Sequence, residues 1–185
     1  MCSQLDSVRL SHLCDLRRQS NNALLHDARC IGKAVMDAVD YCHKKNIIIR
    51  NLTPSNICAR RTSSGFIIKI ADFSLAVMNG SLDFLCDSHY FNWSQVPFMA
   101  PEALLGNPFS YSMDVWAIGV LMFMMVTNSL PFSSDEDADL MNQITVRGKI
   151  LFVYIPNLFL IRMPNILMHR TALCPPPSDT TSTSS

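Results

Sequence analysis

Between Asp114 and Thr127 the chain reads Val-Trp-Ala-Ile-Gly-Val-Leu-Met-Phe-Met-Met-Val, an apolar run from Val115 to Val126 interrupted only by Gly119. A helix built from this run has no polar face to offer to water, so the stretch predicts a central helix covered by protein on every side. It falls well short of the ~20 residues that cross a bilayer, and Asp114 and Asn128 stand at its ends, so no transmembrane span is expected. The chain therefore has to wrap its remaining elements around one helix. Its 185 residues suffice for one domain with a substantial core.

The flanking segments supply those elements. From about Leu24 to His43, apolar residues recur at helical spacing (Ala28, Ile31, Val35, Ala38 with Val39, Cys42), which predicts an amphipathic helix. A strand-like run Ile47–Ile49 follows, then a loop holding Pro54, then a short Ile57–Ala59 segment. The polar cluster Arg60–Gly65 predicts a hairpin turn into a second strand, Phe66–Ile70. Residues 72–100 show no consistent period and are expected to be irregular, and either functional or mobile. Asp135–Arg147 predicts a further short helix whose acidic start suits the helix dipole. Residues 150–168 are apolar but broken by Pro156, Arg162 and Pro164, and 175–185 form a low-complexity, disordered ending. The expected class is mainly α with a small β-hairpin.

Composition narrows the function classes. Lys plus Arg equals Asp plus Glu at 15 each, so no basic field exists to attract nucleic acid or anionic lipid. Charged residues make up only 16 % against 49 % hydrophobic, an oily balance that points to a protein partner. The 7 cysteines are odd in number, scattered and without a C-x-x-C, so free thiols in a reducing compartment are expected rather than disulfides or a zinc site. The N-terminal MCSQLDSVRL has no apolar signal-peptide core. A cytoplasmic location is expected.

Four segments stand in a telling order: IIIRNLTPSN at 47–56, KIADFSLA at 69–76, FMAPEALLG at 98–106 and YSMDVWAIGVLMFM at 111–124. Taken singly, each reads as an ordinary loop or core helix. In this order they resemble the C-terminal lobe of a protein kinase: catalytic loop, metal-binding segment, APE motif and buried central helix. The resemblance covers about residues 10–148. The stretch LPFSSDEDADLMNQI at 130–144 is also similar to calmodulin-dependent and myosin-light-chain-type kinases, the branch that includes kinases of the titin and obscurin kind.

The resemblance implies roles by position. Asn51 stands where the family has the Asp that accepts the substrate's hydroxyl proton, and a neutral amide is not a usable base. Thr53 stands where a Lys steadies the transferred phosphate, which removes a positive charge. Gln95 takes the substrate-side place of the Thr that braces that Asp and Lys. Arg50 is the loop Arg that can engage a phosphorylated segment. Asn56 and Asp72 match the magnesium ligands, with Ser74 in place of the glycine that frees the turn after Asp72. Glu102, Asp114 and Trp116 are structural positions: Glu102 is expected to lack its late-helix Arg partner, and Asp114 to bond the catalytic-loop backbone. His43 is read in a helix C-terminal role before any chemical one.

ATP and magnesium are the cofactors the resemblance implies, but no G-x-G-x-x-G covers a phosphate, and the only glutamates, Glu102 and Glu136, lie downstream of the catalytic loop. Gly32-Lys33 lacks the spacing of a phosphate loop and sits within the amphipathic helix. The expected organisation is a hinge-proximal segment at 1–22, a truncated kinase-like domain at 23–148 without an N-lobe or last helices, and an unrelated ending at 149–185. Expected function is a catalytically impaired kinase-like module acting through protein contacts. The alternatives are a serine/threonine kinase active only in a longer form with an N-lobe, and a piece with no independent activity.

Overall fold

The apolar run forms the helix it predicts, and the other elements are arranged around it. In a computed structural model of the chain, the described residues are 8–10, 21–63, 65–80 and 93–148. In order they form strand β1 (Val8–Arg9), helix α1 (Asn21–Lys44), β2 (Ile47–Ile48), a 3-10 turn Pro54–Asn56, β3 (Ile57–Thr62), β4 (Gly65–Ile70) and β5 (Val77–Met78). A second 3-10 turn (Trp93–Phe98), a short helix α2 (Pro101–Leu104), the apolar helix α3 (Tyr111–Thr127) and α4 (Asp137–Arg147) complete them. Most of the 1–22 segment and the whole 149–185 ending lie outside the described residues.

Helix α1 starts at Asn21, ahead of the first periodic apolar residue, and ends with His43 and Lys44 in its last turn, where cations suit the dipole. Its stripe of Ala28, Ile31, Val35, Met36, Val39 and Cys42 is buried. The opposite face carries the i,i+4 pairs Lys33–Asp37 at 2.7 Å and Asp40–Lys44 at 2.6 Å, each exposed and worth about 0.3–0.5 kcal/mol. Gly32 lets α1 approach α3 closely: a Cβ there would lie 2.6 Å from Met122 Cε. Helix α3 ends where Asn128 takes a left-handed conformation (φ 56°) and donates its N–H to the Met124 carbonyl.

The hairpin is longer than its apolar residues suggest. Strands β3 and β4 pair antiparallel from Ile57↔Ile70 to Thr62↔Gly65, so Arg60 and Arg61 belong to the ladder and not to the turn. Arg61 stays in the strand because its guanidinium stacks 4.8 Å over Phe66 and pairs with Asp27 on α1. A third strand, β1, joins through Val8↔Ala59 and Arg9↔Cys58, so the expected hairpin is the larger part of a three-stranded sheet. The 72–100 segment is not wholly irregular either. β5 pairs with β2 through Ile47↔Met78 and Ile48↔Val77, and Trp93–Phe98 coils just before α2.

Helix α3 divides two apolar cores. On one side Ala117, Ile118, Leu121, Met122 and Met125 pack with α1, Leu52 and Ile57. On the other, Met113, Trp116 and Val120 pack with Ala103, Phe109, Phe132, Leu140 and Ile144. Trp116 stacks on Phe132 with ring centroids 6.2 Å apart and planes 9° apart. The loop between β2 and β3, where the candidate residues lie, rests on the N-terminal end of α3.

Candidate functional site

The loop is held from below by one buried carboxylate. Asp114, 1 % exposed in the first turn of α3, accepts the Ile49 N–H at Oδ2 and the Arg50 N–H at Oδ1, both at 2.9 Å. His43 Nε2, from the end of α1, lies 2.8 Å from Asp114 Oδ2. These bonds fix Arg50 in a left-handed backbone conformation (φ 66°), which a residue with a side chain adopts only when its surroundings hold it there. Three elements thus converge on Asp114, and the loop leaves them already turned.

Asn51 is the hub of the loop's polar contacts. It is 5 % exposed. Its Oδ1 accepts from Gln95 Nε2 at 3.0 Å, and its Nδ2 donates to Asp72 Oδ2 at 3.4 Å. Its backbone carbonyl accepts the Asn56 side-chain amide and the Thr53 N–H, each at 3.2 Å. The hydrogen-bonded set therefore brings together Asn51, Asn56, Asp72 and Gln95, from three separate stretches of chain. Thr53, 6 % exposed, pairs its hydroxyl with Ser55 Oγ at 2.9 Å. The Ser74 backbone N–H donates to Asp72 Oδ1 at 2.8 Å, and that bond, with help from the Ser74 hydroxyl, holds the Asp72 carboxyl below its ordinary pKa despite partial desolvation. Asp72 is an anion throughout the physiological range.

Arg50 turns away from this set. Its guanidinium lies 3.7 Å over the Phe109 ring, against a cavity of about 30 Å³ lined by Arg50, Gln95, Phe98, Phe109, Met113 and Ala117. That volume suits about one water molecule. Glu102, expected to be poorly compensated, is half-buried and accepts the Ser112 hydroxyl at 3.1 Å.

A magnesium ion would need Asp72 and Asn56 to turn oxygens toward one point. In this structure both Asp72 oxygens already accept N–H donors, from Ser74 and from Asn51. Each N–H takes one of the two lone pairs on its oxygen, so each oxygen keeps one that a hard cation could take. Among the described residues, no group of three or more His, Cys, Asp or Glu could hold a metal ion. Asp72 and Asn56 would be the residues to hold such an ion, through a carboxylate and an amide oxygen, and no chemical step is routed through one.

His43 carries a role that its sequence position did not reveal. It ends α1 as expected, but it also reaches Asp114 from 71 residues away. No local pattern signals so distant a contact. Gln95 differs: the resemblance already puts it in the place of a residue that braces position 51, and its amide meets Asn51 at 3.0 Å. Cys42, next to His43, is a buried free thiol whose pKa is pushed up by burial and, less strongly, by the Asp114 charge. No described helix is long and apolar enough to cross a membrane.

Comparison with known proteins agrees with this architecture. The family model of the protein kinase domain matches residues 2–169, wider on both sides than the span carried by the motifs. Sperm motility kinase 1 of Mus musculus is 35 % identical over 127 residues, 66 % of this chain and 24 % of that protein. Sperm motility kinase 3A of the same species is 33 % identical over 123 residues, 64 % of this chain and 22 % of the relative. Calcium/calmodulin-dependent protein kinase type 1 of Macrobrachium nipponense is 31 % identical over 128 residues, 68 % of this chain and 35 % of that kinase. The chain thus matches about a quarter to a third of the length of these relatives. With a family match over most of its residues and helices and small sheets that fit part of that fold, the chain belongs to the protein kinase family.

Proposed function

We propose that this chain is a catalytically impaired kinase-like module, built on the C-terminal-lobe half of the fold, that works through protein contacts. The observation that carries this reading is Asn51, buried where the family has its proton acceptor, with both ends of its amide engaged by Gln95 and Asp72. A general base contributes about 10²–10⁴ in rate, and an amide cannot supply it. Thr53 adds to the deficit, since a buried hydroxyl paired with Ser55 brings no positive charge to a phosphoryl group. Exposed large apolar side chains such as Tyr41, at 66 %, and Leu105, at 68 %, support a role in protein contacts. A cytoplasmic setting, without nucleic acid, belongs to the same reading.

Phosphoryl transfer from labelled ATP, measured on the longest form of the protein that contains this chain, tests it. The expected rate lies at least ~10²-fold below an active serine/threonine kinase. A rate within tenfold of such an enzyme, abolished by Asp72→Asn, overturns the reading. The contact role predicts that Leu105→Lys removes cellular binding partners while leaving the melting temperature in place.

The second reading, a serine/threonine kinase active in a longer form with an N-lobe, has one observation in its favour. Asp72 is held ionised by Ser74, and its neighbour Ala71 donates its N–H to the Asn56 carbonyl at 2.8 Å, which brings together the two residues from which the family holds its metal. Magnesium-dependent ATP binding by that longer form would support it.

A further inference from the structure

Cross-strand partners share a face of a sheet, so the register of β1, β3 and β4 assigns their side chains to one side or the other. Ile57, Ala59, Phe66, Ile68 and Ile70 lie on the side of α1, where Ile57 and Ala59 are buried. The opposite side carries the row Arg9↔Cys58↔Lys69, and Arg60 beside Ile67 in the next row on that side. Arg9, Arg60 and Lys69 are exposed there, Ile67 is 43 % exposed and Cys58 is half-buried. Neighbouring strands lie about 4.8 Å apart and a residue two positions on lies about 7 Å along, so Arg9 and Lys69 flank Cys58 at a backbone separation of about 10 Å, and Arg60 stands about 8 Å from each. Among the described residues, no carboxylate pairs with any of the three. Asp27 is held by Arg61 on the α1 side, and Asp72, two residues past β4, accepts from Ser74 and Asn51. The equal totals of 15 cations and 15 anions conceal this local separation of charge.

We propose that this outward side of the sheet is a docking surface for an acidic segment of a partner protein. Two or three carboxylates of that segment meet Arg9, Arg60 and Lys69, and an apolar side chain covers Ile67. In an extended segment, carboxylates at alternate positions project from one face about 7 Å apart, a spacing that long Arg and Lys side chains reach. Charge complementarity selects an anionic partner, and the number of cations selects protein. Three cations release only about three counterions from DNA, too few to hold it without a wider basic field, and a phosphate backbone leaves Ile67 uncovered. Clusters that hold anionic lipid carry about 4–8 Lys or Arg. The inference rests on the protein-contact reading and names the chemistry of the partner.

The test is fluorescence anisotropy of the full chain with a labelled peptide of about ten residues, glutamate at alternate positions and one leucine between them. The wild type is expected to bind it and to bind the glutamine counterpart at least ~10-fold more weakly, with affinity falling as salt rises from about 50 to about 200 mM. Each exposed pair contributes a factor of up to about five, and reversal adds repulsion, so Arg60→Glu with Lys69→Glu should weaken binding about 10-fold or more. Lys33→Glu with Lys44→Glu, the same charge change on the exposed face of α1, should alter it less than about 3-fold. Bound peptide should slow alkylation of Cys58 by iodoacetamide and leave Cys30 unaffected. A wild type without affinity for the peptide overturns the surface, as does binding that leaves Cys58 equally reactive or ignores the Arg60→Glu, Lys69→Glu change. Tighter binding of oligo-dT or phosphatidylserine vesicles through the same residues overturns it too, and so does salt-sensitive self-association that Lys69→Glu abolishes. Should the double variant fail to fold, Lys69→Gln and the Cys58 protection in the wild type decide. A chain that ignores the peptide and transfers no phosphate refutes the surface and leaves the impaired-module reading standing. One that binds the peptide as expected yet transfers phosphate refutes the impaired-module reading alone.

Discussion

Asp114 offers the sharpest test of how the site is built. Replacing it with Asn keeps the volume and one oxygen. If that oxygen stays at the Oδ2 place, it still accepts from Ile49 and faces His43, while the new NH2 confronts the Arg50 N–H. One charge-assisted bond is lost, a cost of about 1.5–3 kcal/mol. Asp114→Ala removes every acceptor and strands two backbone donors in a site that is 1 % exposed, a cost of about 3–5 kcal/mol. At roughly 2–4 °C per kcal/mol for a chain of this size, Asp114→Asn should lower the melting temperature by about 3–12 °C and Asp114→Ala by about 6–20 °C. His43→Ala, which removes the Asp114 contact and the ring packing on Tyr111 but leaves both backbone donors paired, should cost less than Asp114→Ala. Urea denaturation gives the free energies, and hydrogen exchange at Ile49 and Arg50 gives the local readout. Asp114→Asn should speed exchange mainly at Arg50, and Asp114→Ala at both amides. An Asp114→Ala protein within ~1 kcal/mol of the wild type, with both amides still slow, would show that something other than this carboxylate sets the loop.

Further expectations come from the glycines and from Cys42. Gly148→Ala would place a Cβ 2.5 Å from the rigid Trp116 ring at a backbone conformation any residue accepts, so urea unfolding should show a purely steric loss of about 1–3 kcal/mol. Gly32→Ala meets the flexible end of Met122 and gains about 1 kcal/mol of helix propensity, so the same measurement should find it near neutral. The raised Cys42 pKa keeps the thiol protonated in the native state while the unfolded chain loses that proton at ordinary alkaline pH. The unfolded state then binds fewer protons, so stability from this group is intact below about pH 8.5 and falls as pH rises above it. A pH series of melting temperatures, with alkylation of Cys42 lagging that of Cys30 and Cys58, checks this.

What the sequence made legible was whatever depends on local pattern. The apolar run at 115–126 could only be a surrounded helix, and the α1 stripe announced its buried face. The hairpin was visible, but its extent was not, because Arg60 and Arg61 look like turn residues until Phe66 and Asp27 are placed beside Arg61. Two-residue strands such as Val8–Arg9 and Val77–Met78 carry no period at all, and only their distant partners make them strands. The site divides the same way. Motif order singles out Asn51, Thr53, Asn56 and Asp72 as candidates, and the resemblance implies the bonds Asp114 makes to the loop backbone. The Gln95–Asn51 bond, across 44 positions, is implied only through the resemblance, while the His43–Asp114 contact joins residues 71 positions apart and nothing near either end foretells it.

Helix α3 also governs how this molecule comes apart. Each of the two apolar cores is completed by a different side of the same helix, so neither core can open alone without baring large side chains that the other still needs. Partial melting is thereby discouraged, and the described residues act as one cooperative unit in which the central amides of α3 exchange only through global unfolding. A substitution in either core, near Val35 or near Ile144, draws on the same reserve of stability, and damage on one side is felt at the other.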